Sequence, residues 1–139
     1  MTKSLEIPMF KPRSRPRFKK EGSSVVAYYQ DDLSSMRQAV ADQWTDAPLS
    51  GKVALEAEFR VPLPKRCSKA RRAAMIAGEI APPSALTVDD LLRGVLDCLP
   101  GVVVEEERQV AFLSGSVCYS ETAGATVRVG EANFYCLGA

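Results

Sequence analysis

S-A-L-T-V-D-D-L-L-R-G-V-L-D-C-L-P-G-V-V-V-E-E-E-R-Q-V, from Ser84 to Val110, is the stretch whose reading decides the fold. Its apolar residues Val88, Leu91, Leu92, Val95, Leu96 and Leu99 recur at steps of three and four. That spacing lines one face of an α-helix and predicts that the face is core. Asp89, Asp90, Asp97 and Arg93 take the other side, and Pro100-Gly101 stops the helix before the acidic cluster Glu105, Glu106 and Glu107. One end of the helix and the acidic cluster can therefore share a pocket. Thr87 is the expected N-cap, its hydroxyl accepting the Asp90 amide while the Asp90 carboxylate returns to the cap amide in an approximate capping box.

Working outward, period-two alternation marks K-V-A-L-E-A-E-F-R-V, from Lys52 to Val61, as a half-buried strand with Val53, Leu55, Ala57 and Phe59 inward. Glu56 and Glu58 share its polar face, which we read as an ordinary solvated face ahead of a metal site. Before it, Asp31 or Asp32 can cap a helix through roughly Asp46, with Leu33, Met36, Val40 and Trp44 at helical spacing. Leu5 to Phe10 reads as a short strand broken by Pro8. After it, Ser68 caps a short basic helix through Ala77, closed by Gly78, and Pro82-Pro83 give an extended approach to the central helix. Beyond it, Gln109 to Tyr119 and Ala125 to Val129 read as two antiparallel strands, Gly115 and Ser116 interrupting the pattern of the first. The tail E-A-N-F-Y-C-L-G-A offers Phe134, Tyr135 and Leu137 to the sheet or to a second copy. The expected order is strand, helix, strand, helix, helix, strand, strand: an α/β or α+β fold with a small mixed sheet packed by helices, in a single domain over 1–139.

Charge is unevenly placed. The formal net charge is only +1, yet Lys3, Lys11, Arg13, Arg15, Arg17, Lys19 and Lys20 face only Glu6 near the start. Lys65, Arg66, Lys69, Arg71 and Arg72 form a second basic group, whereas Glu79 to Glu107 is predominantly acidic. The segment 11–20 is either a solvated arm or a phosphate-contacting one, because guanidinium forks bond phosphate oxygens and neutralisation releases counterions. Phe18 reads as a packing anchor ahead of a base-stacking platform. The chain has no histidine, which removes Ser-His and Cys-His nucleophile systems and leaves hydrolysis to carboxylates and metal. Cys67, Cys98, Cys118 and Cys136 form no Cys-x-x-Cys pair and read as ordinary reduced core thiols. No signal-peptide run and no stretch of roughly 20 apolar residues is present, so the expected location is cytoplasmic, with no membrane span.

V-D-D-L-L-R-G-V-L-D-C-L followed by E-E-E-R-Q-V resembles the RusA-type Holliday junction endonucleases, whose pattern is Lys-Pro-Asp-x-Asp-Asn opening a helix, then an acidic turn and a Gln-Val strand. K-P-R-S-R-P-R-F and P-L-P-K-R-C-S-K-A-R-R-A-A-M extend the resemblance over most of the chain. Asp89 matches without change. Thr87 stands where the family has the first aspartate of its pair, Ala85 and Leu86 replace Lys-Pro, Asp90 replaces the asparagine, Arg93 takes the lysine position, and Glu107 aligns with the later aspartate.

The resemblance implies a homodimer that binds branched DNA, the four-way junction of recombination and repair, and resolves it by paired nicks. It implies Mg²⁺, with Mn²⁺ as an alternative, held by Asp89 and Glu107, with Asp90 and Glu106 as substitutes. One or two carboxylates plus water and substrate phosphate suffice for such an ion. The implied catalytic set is Asp89, Arg93 and Glu107, Arg93 stabilising charge that develops on the phosphate. Lys11, Arg13, Arg15, Arg17, Lys19, Lys20, Lys69, Arg71 and Arg72 are the implied DNA contacts. Two readings stay open: an active endonuclease, and a RusA-like protein that binds junctions or another partner without cleaving, because threonine and aspartate both cap helices but only aspartate brings a carboxylate.

Overall fold

The computed structural model describes residues 2–10, 17–28, 33–84 and 86–132. In chain order these form β1 (Lys3–Ile7), β2 (Arg17–Glu21), β3 (Ser24–Tyr28), α1 (Ser34–Gln43), β4 (Val53–Pro62), α2 (Lys69–Ile76), α3 (Val88–Leu96), β5 (Val110–Ser120) and β6 (Gly124–Glu131). The strands β1-β6-β4-β5 make one mixed sheet, with β4 and β5 parallel and the other pairs antiparallel, while β2 and β3 form a separate hairpin. The architecture is the expected α+β layer structure.

Register explains how one face of the sheet becomes core. Leu5, Val127, Ala57 and Gly115 lie in one row across the four strands, and Ile7, Ala125, Phe59 and Val117 in another. Side chains alternate between faces along a strand, so these rows share a side. On that side Leu33, Met36, Val40 and Trp44 from α1 and Leu91, Leu92, Val95 and Leu96 from α3 join one buried cluster. Each fully buried Leu or Val contributes about 1.5–3 kcal/mol against exposure. The opposite face carries the rows Glu6, Thr126, Glu58, Ser116 and Ser4, Arg128, Glu56, Ser114. There the Arg60 guanidinium donates to Thr126 Oγ1 at 2.7 Å and pairs with Glu6 at 3.2 Å.

The two final strands are not neighbours, contrary to the hairpin expected from sequence. β4 lies between them, and the link 121–123 passes over its end, where Pro62 has no N–H to continue the ladder. The end of the basic segment, expected to be extended or looped, is extended and enters β2, and S-S-V-V-A-Y supplies its partner β3 across a turn in which Gly22 has φ 61°. Residues 11–16 and 133–139, and with them the loop and tail expectations there, lie outside the described residues.

The helix limits differ from expectation for physical reasons. α1 starts at Ser34 after Leu33, the expected cap Asp31 or Asp32 lying outside the described residues, and it stops at Gln43 rather than near Asp46. Trp44 turns extended at ψ 97° and its indole donates to the Ala47 carbonyl at 3.3 Å, just before Pro48, which biases its predecessor away from helix. Gln43 then fastens α1 to β1, accepting from the Glu6 amide at 2.7 Å and donating to the Glu6 carbonyl. α2 is capped by Ser68 as expected, its Oγ accepting from the Arg71 amide at 3.2 Å, and Gly78 closes it at φ 83°. β1 ends at Ile7, before Pro8.

Candidate functional site

α3 sets the site because its N-terminal half rests directly on β5. A Cβ placed on Gly115 would lie 2.9 Å from Val88 Cγ2 and 3.0 Å from Leu92 Cδ1, so only glycine permits this approach. Asp89, next to Val88, is exposed. Arg93 follows it by four residues and shares its stripe, where side chains are roughly one turn apart.

The acidic turn reaches this stripe. Arg93 Nη2 pairs with Glu107 Oε1, and Arg93 Nε lies 4.0 Å from Asp97 Oδ1. The Arg93 and Glu107 side chains keep 40% and 44% of their surface exposed, which leaves the pair open to an incoming ligand. Helix and turn thus converge through Arg93, one turn along α3 from Asp89.

Thr87 behaves differently from the capping box expected of it. No side chain caps the α3 backbone. The Thr87 hydroxyl instead donates to Asp90 Oδ2 at 2.7 Å, while the Leu91 amide donates to the Thr87 carbonyl at 3.2 Å. A hydroxyl bond to a charged carboxylate is stronger than one between neutral groups, so the Thr87 hydroxyl hydrogen points at Asp90 rather than leaving the oxygen to accept from the backbone.

Glu106 is drawn the other way, to Arg108. The residue that holds the acidic turn in place is one that sequence reasoning missed. Gln109 Oε1 accepts from the Glu105 and Glu106 amides at 2.9 and 2.8 Å, and its Nε2 donates to the Leu49 and Gly51 carbonyls at 2.8 and 2.9 Å. The signal available was a glutamine three residues past Glu106, the spacing of a capping box. Its bonds to the 49–51 loop had no local trace.

Among the described residues no group of three or more His, Cys, Asp or Glu side chains could hold a metal ion. Asp89 and Glu107 are exposed oxygen donors of the kind magnesium takes, an ion that needs only one or two carboxylates completed by water and phosphate. The donor chemistry of each carboxylate suits such an ion, with Glu107 already paired with Arg93.

Of the expected phosphate contacts, Lys69 and Arg71 are exposed and Arg72 is half-buried on α2, which packs on β5 as α3 does. None of these three forms an ion pair among the described residues. Lys19 and Lys20 are exposed on β2, Lys19 lying 3.0 Å from Glu21; Arg17 begins that strand. Lys11, Arg13 and Arg15 lie outside the described residues. Phe18, expected as a packing anchor, is 68% exposed. No described helix is long and apolar enough to cross a membrane. Of the cysteines expected in the core, Cys98 is buried, Cys67 half-buried and Cys118 exposed, none of them in a disulfide among the described residues, and Cys136 is outside those residues.

The sequence model described as Endodeoxyribonuclease RusA matches residues 9–130, a span that runs from the end of β1 through nearly all of β6. No curated protein matches the chain with significance.

Proposed function

The chain belongs to the RusA endodeoxyribonuclease family, and from that premise we propose that it is a structure-specific endonuclease that resolves four-way DNA junctions by metal-dependent phosphodiester hydrolysis. The observation that carries this reading is the Arg93–Glu107 pair, which holds the acidic turn against the helical stripe of Asp89. Asp89 and Glu107 are the carboxylates that would hold Mg²⁺ or Mn²⁺. When bound, such an ion supplies an activated water and neutralises charge on the scissile phosphate. Arg93 binds the phosphate and stabilises the charge that builds on its non-bridging oxygens, keeping its own proton. Asp90 and Glu106, engaged by Thr87 and Arg108, are better placed to fix the helix start and the turn than to serve as ligands. Lys19, Lys20, Lys69, Arg71 and Arg72, together with the basic residues of 11–17, supply phosphate contacts that position the junction.

One observation favours binding without cleavage. Thr87 brings a hydroxyl where the family has a carboxylate, and that hydroxyl is spent on Asp90. Purified protein incubated with labelled four-way junctions and matched linear duplexes, in Mg²⁺, Mn²⁺ or chelator, separates the two readings. Paired nicking that needs the metal and disappears in Asp89→Asn is the expected result. Tight junction binding with no nicking in either metal overturns the enzyme reading, and cleavage gained by Thr87→Asp would then identify the missing carboxylate.

A further inference from the structure

The hairpin β2–β3 stands apart from the mixed sheet as a two-stranded sheet of its own. A ribbon of this kind is at best marginally stable in water unless something packs on it. In its register Lys20 lies opposite Val25, and Phe18 is two residues from Lys20 on the same strand, so Phe18, Lys20 and Val25 share one face. That face is open. Phe18 is 68% and Val25 67% exposed, and neither belongs to the core cluster. Charge is sided as well. On the opposite face Lys19 pairs with Glu21 at 3.0 Å, whereas Lys20 forms no ion pair among the described residues. The cation without a counter-charge therefore stands on the apolar face, two residues, or about 7 Å, along the strand from Phe18.

We propose that this face binds unpaired nucleotides of a DNA strand, with Phe18 stacking on a base, Val25 widening the platform and Lys20 contacting the phosphate beside it. The exposed ring selects the state of the base. Any base can stack on an aromatic side chain once it is free of its own stack, whereas bases inside a duplex are covered by their neighbours. The lysine selects the rest of the ligand, because a ring and a cation set side by side suit a polymer in which bases and phosphates alternate. The sequence leading into β2 agrees: Lys11, Arg13, Arg15 and Arg17 follow one another with no acid between Glu6 and Glu21, a run of positive charge that a polyanion neutralises. The inference rests on the nucleic-acid reading of the chain but not on cleavage. It also supplies a reason for choosing branched over linear DNA, since a branch point exposes bases that a linear duplex keeps stacked.

Anisotropy of a labelled oligothymidylate, titrated with the full chain in chelator so that nothing is cut, tests it. Affinity should fall about 10-fold or more in Phe18→Ala. It should hold in Phe18→Trp and fall again in Phe18→Leu, which is apolar but has no π face. A matched linear duplex should bind all three variants as it binds the wild type. Phe18→Trp adds a readout that needs no truncation, because the emission gained by the substitution should be quenched by the oligothymidylate. No binding by the wild-type chain, equal losses on the duplex, full binding by Phe18→Leu or an unquenched indole each overturns the proposal. So does a Phe18-dependent hold on vesicles of phosphatidylserine and phosphatidylcholine with none on the oligonucleotide, which would assign the face to a lipid surface. Loss of junction nicking with oligothymidylate binding intact would remove the nuclease reading alone. Nicking that persists while Phe18→Ala binds oligothymidylate as the wild type does would remove this inference alone.

Discussion

Arg93 is the side chain on which helix and turn meet, and its chemistry separates function from stability. An exposed ion pair contributes about 0–1 kcal/mol, whereas a donor aimed at developing charge is worth about 10²–10³-fold in rate. Arg93→Ala is therefore expected to cut nicking by roughly that factor while urea midpoints stay nearly unchanged. Gln109 should behave in the opposite sense. Replacing it with Ala removes four hydrogen bonds that tie the acidic turn to the 49–51 loop. A stability loss of about 2 kcal/mol is expected from bonds of about 0.5–1.5 kcal/mol each in a partly exposed setting, and urea denaturation reads it. The exposed Cys118 thiol is pushed above its ordinary value by partial burial of the sulfur first and by Glu58 second, with Arg60 acting against both. Because the thiolate is the nucleophile, alkylation of Cys118 should rise with pH later than in the urea-unfolded chain. The same shift favours the protonated folded state, so its small contribution to stability is present below the unfolded thiol pKa and is lost as pH climbs through the folded one.

At the level of elements, the seat of α3 on β5 is the most sensitive joint. Gly115→Ala would set a methyl 2.9 Å from Val88 Cγ2, and overpacking of this kind costs about 1–3 kcal/mol. We expect a lower melting temperature together with weaker nicking, since the shift would be felt at Asp89. Elements of strong periodicity are legible in the residues themselves: α3 from its three-and-four spacing, β4 from its alternation, α2 from its Ser68 cap. The β2–β3 hairpin is not, because Arg17, Lys19 and Lys20 hide the alternation that would mark β2, and nothing local announces β3 as its mate. Strand order escapes for a different reason. A period of two says which face a residue takes but not which strand lies beside it, so β5 and β6 read as a hairpin although β4 divides them.

For the molecule as a whole, the carboxylates and Arg93 can be picked out from helix spacing and resemblance, but the contact that unites them spans 14 residues and a change of direction. The Thr87 bond to Asp90 is half legible: the pair is evident, the direction of the proton is not. Phosphate contact is a property of the entire surface and should show as steep salt dependence. Lys69→Ala and Arg71→Ala are each expected to lower the slope of log affinity against log salt by about 1 on both junction and duplex, and fluorescence anisotropy across a salt series measures it.

The sheet also joins the two ends of the sequence. Leu5 and Ile7 face Val127 and Ala125, so among the described strands the first has no partner in the sheet until the last one exists, only α1 beside it. During synthesis the early chain must therefore wait with its ladder unpaired, and closure becomes a late, long-range event. Chains arrested before residue 124 should remain open to protease along β1, while release of the finished chain should protect it in a single cooperative step.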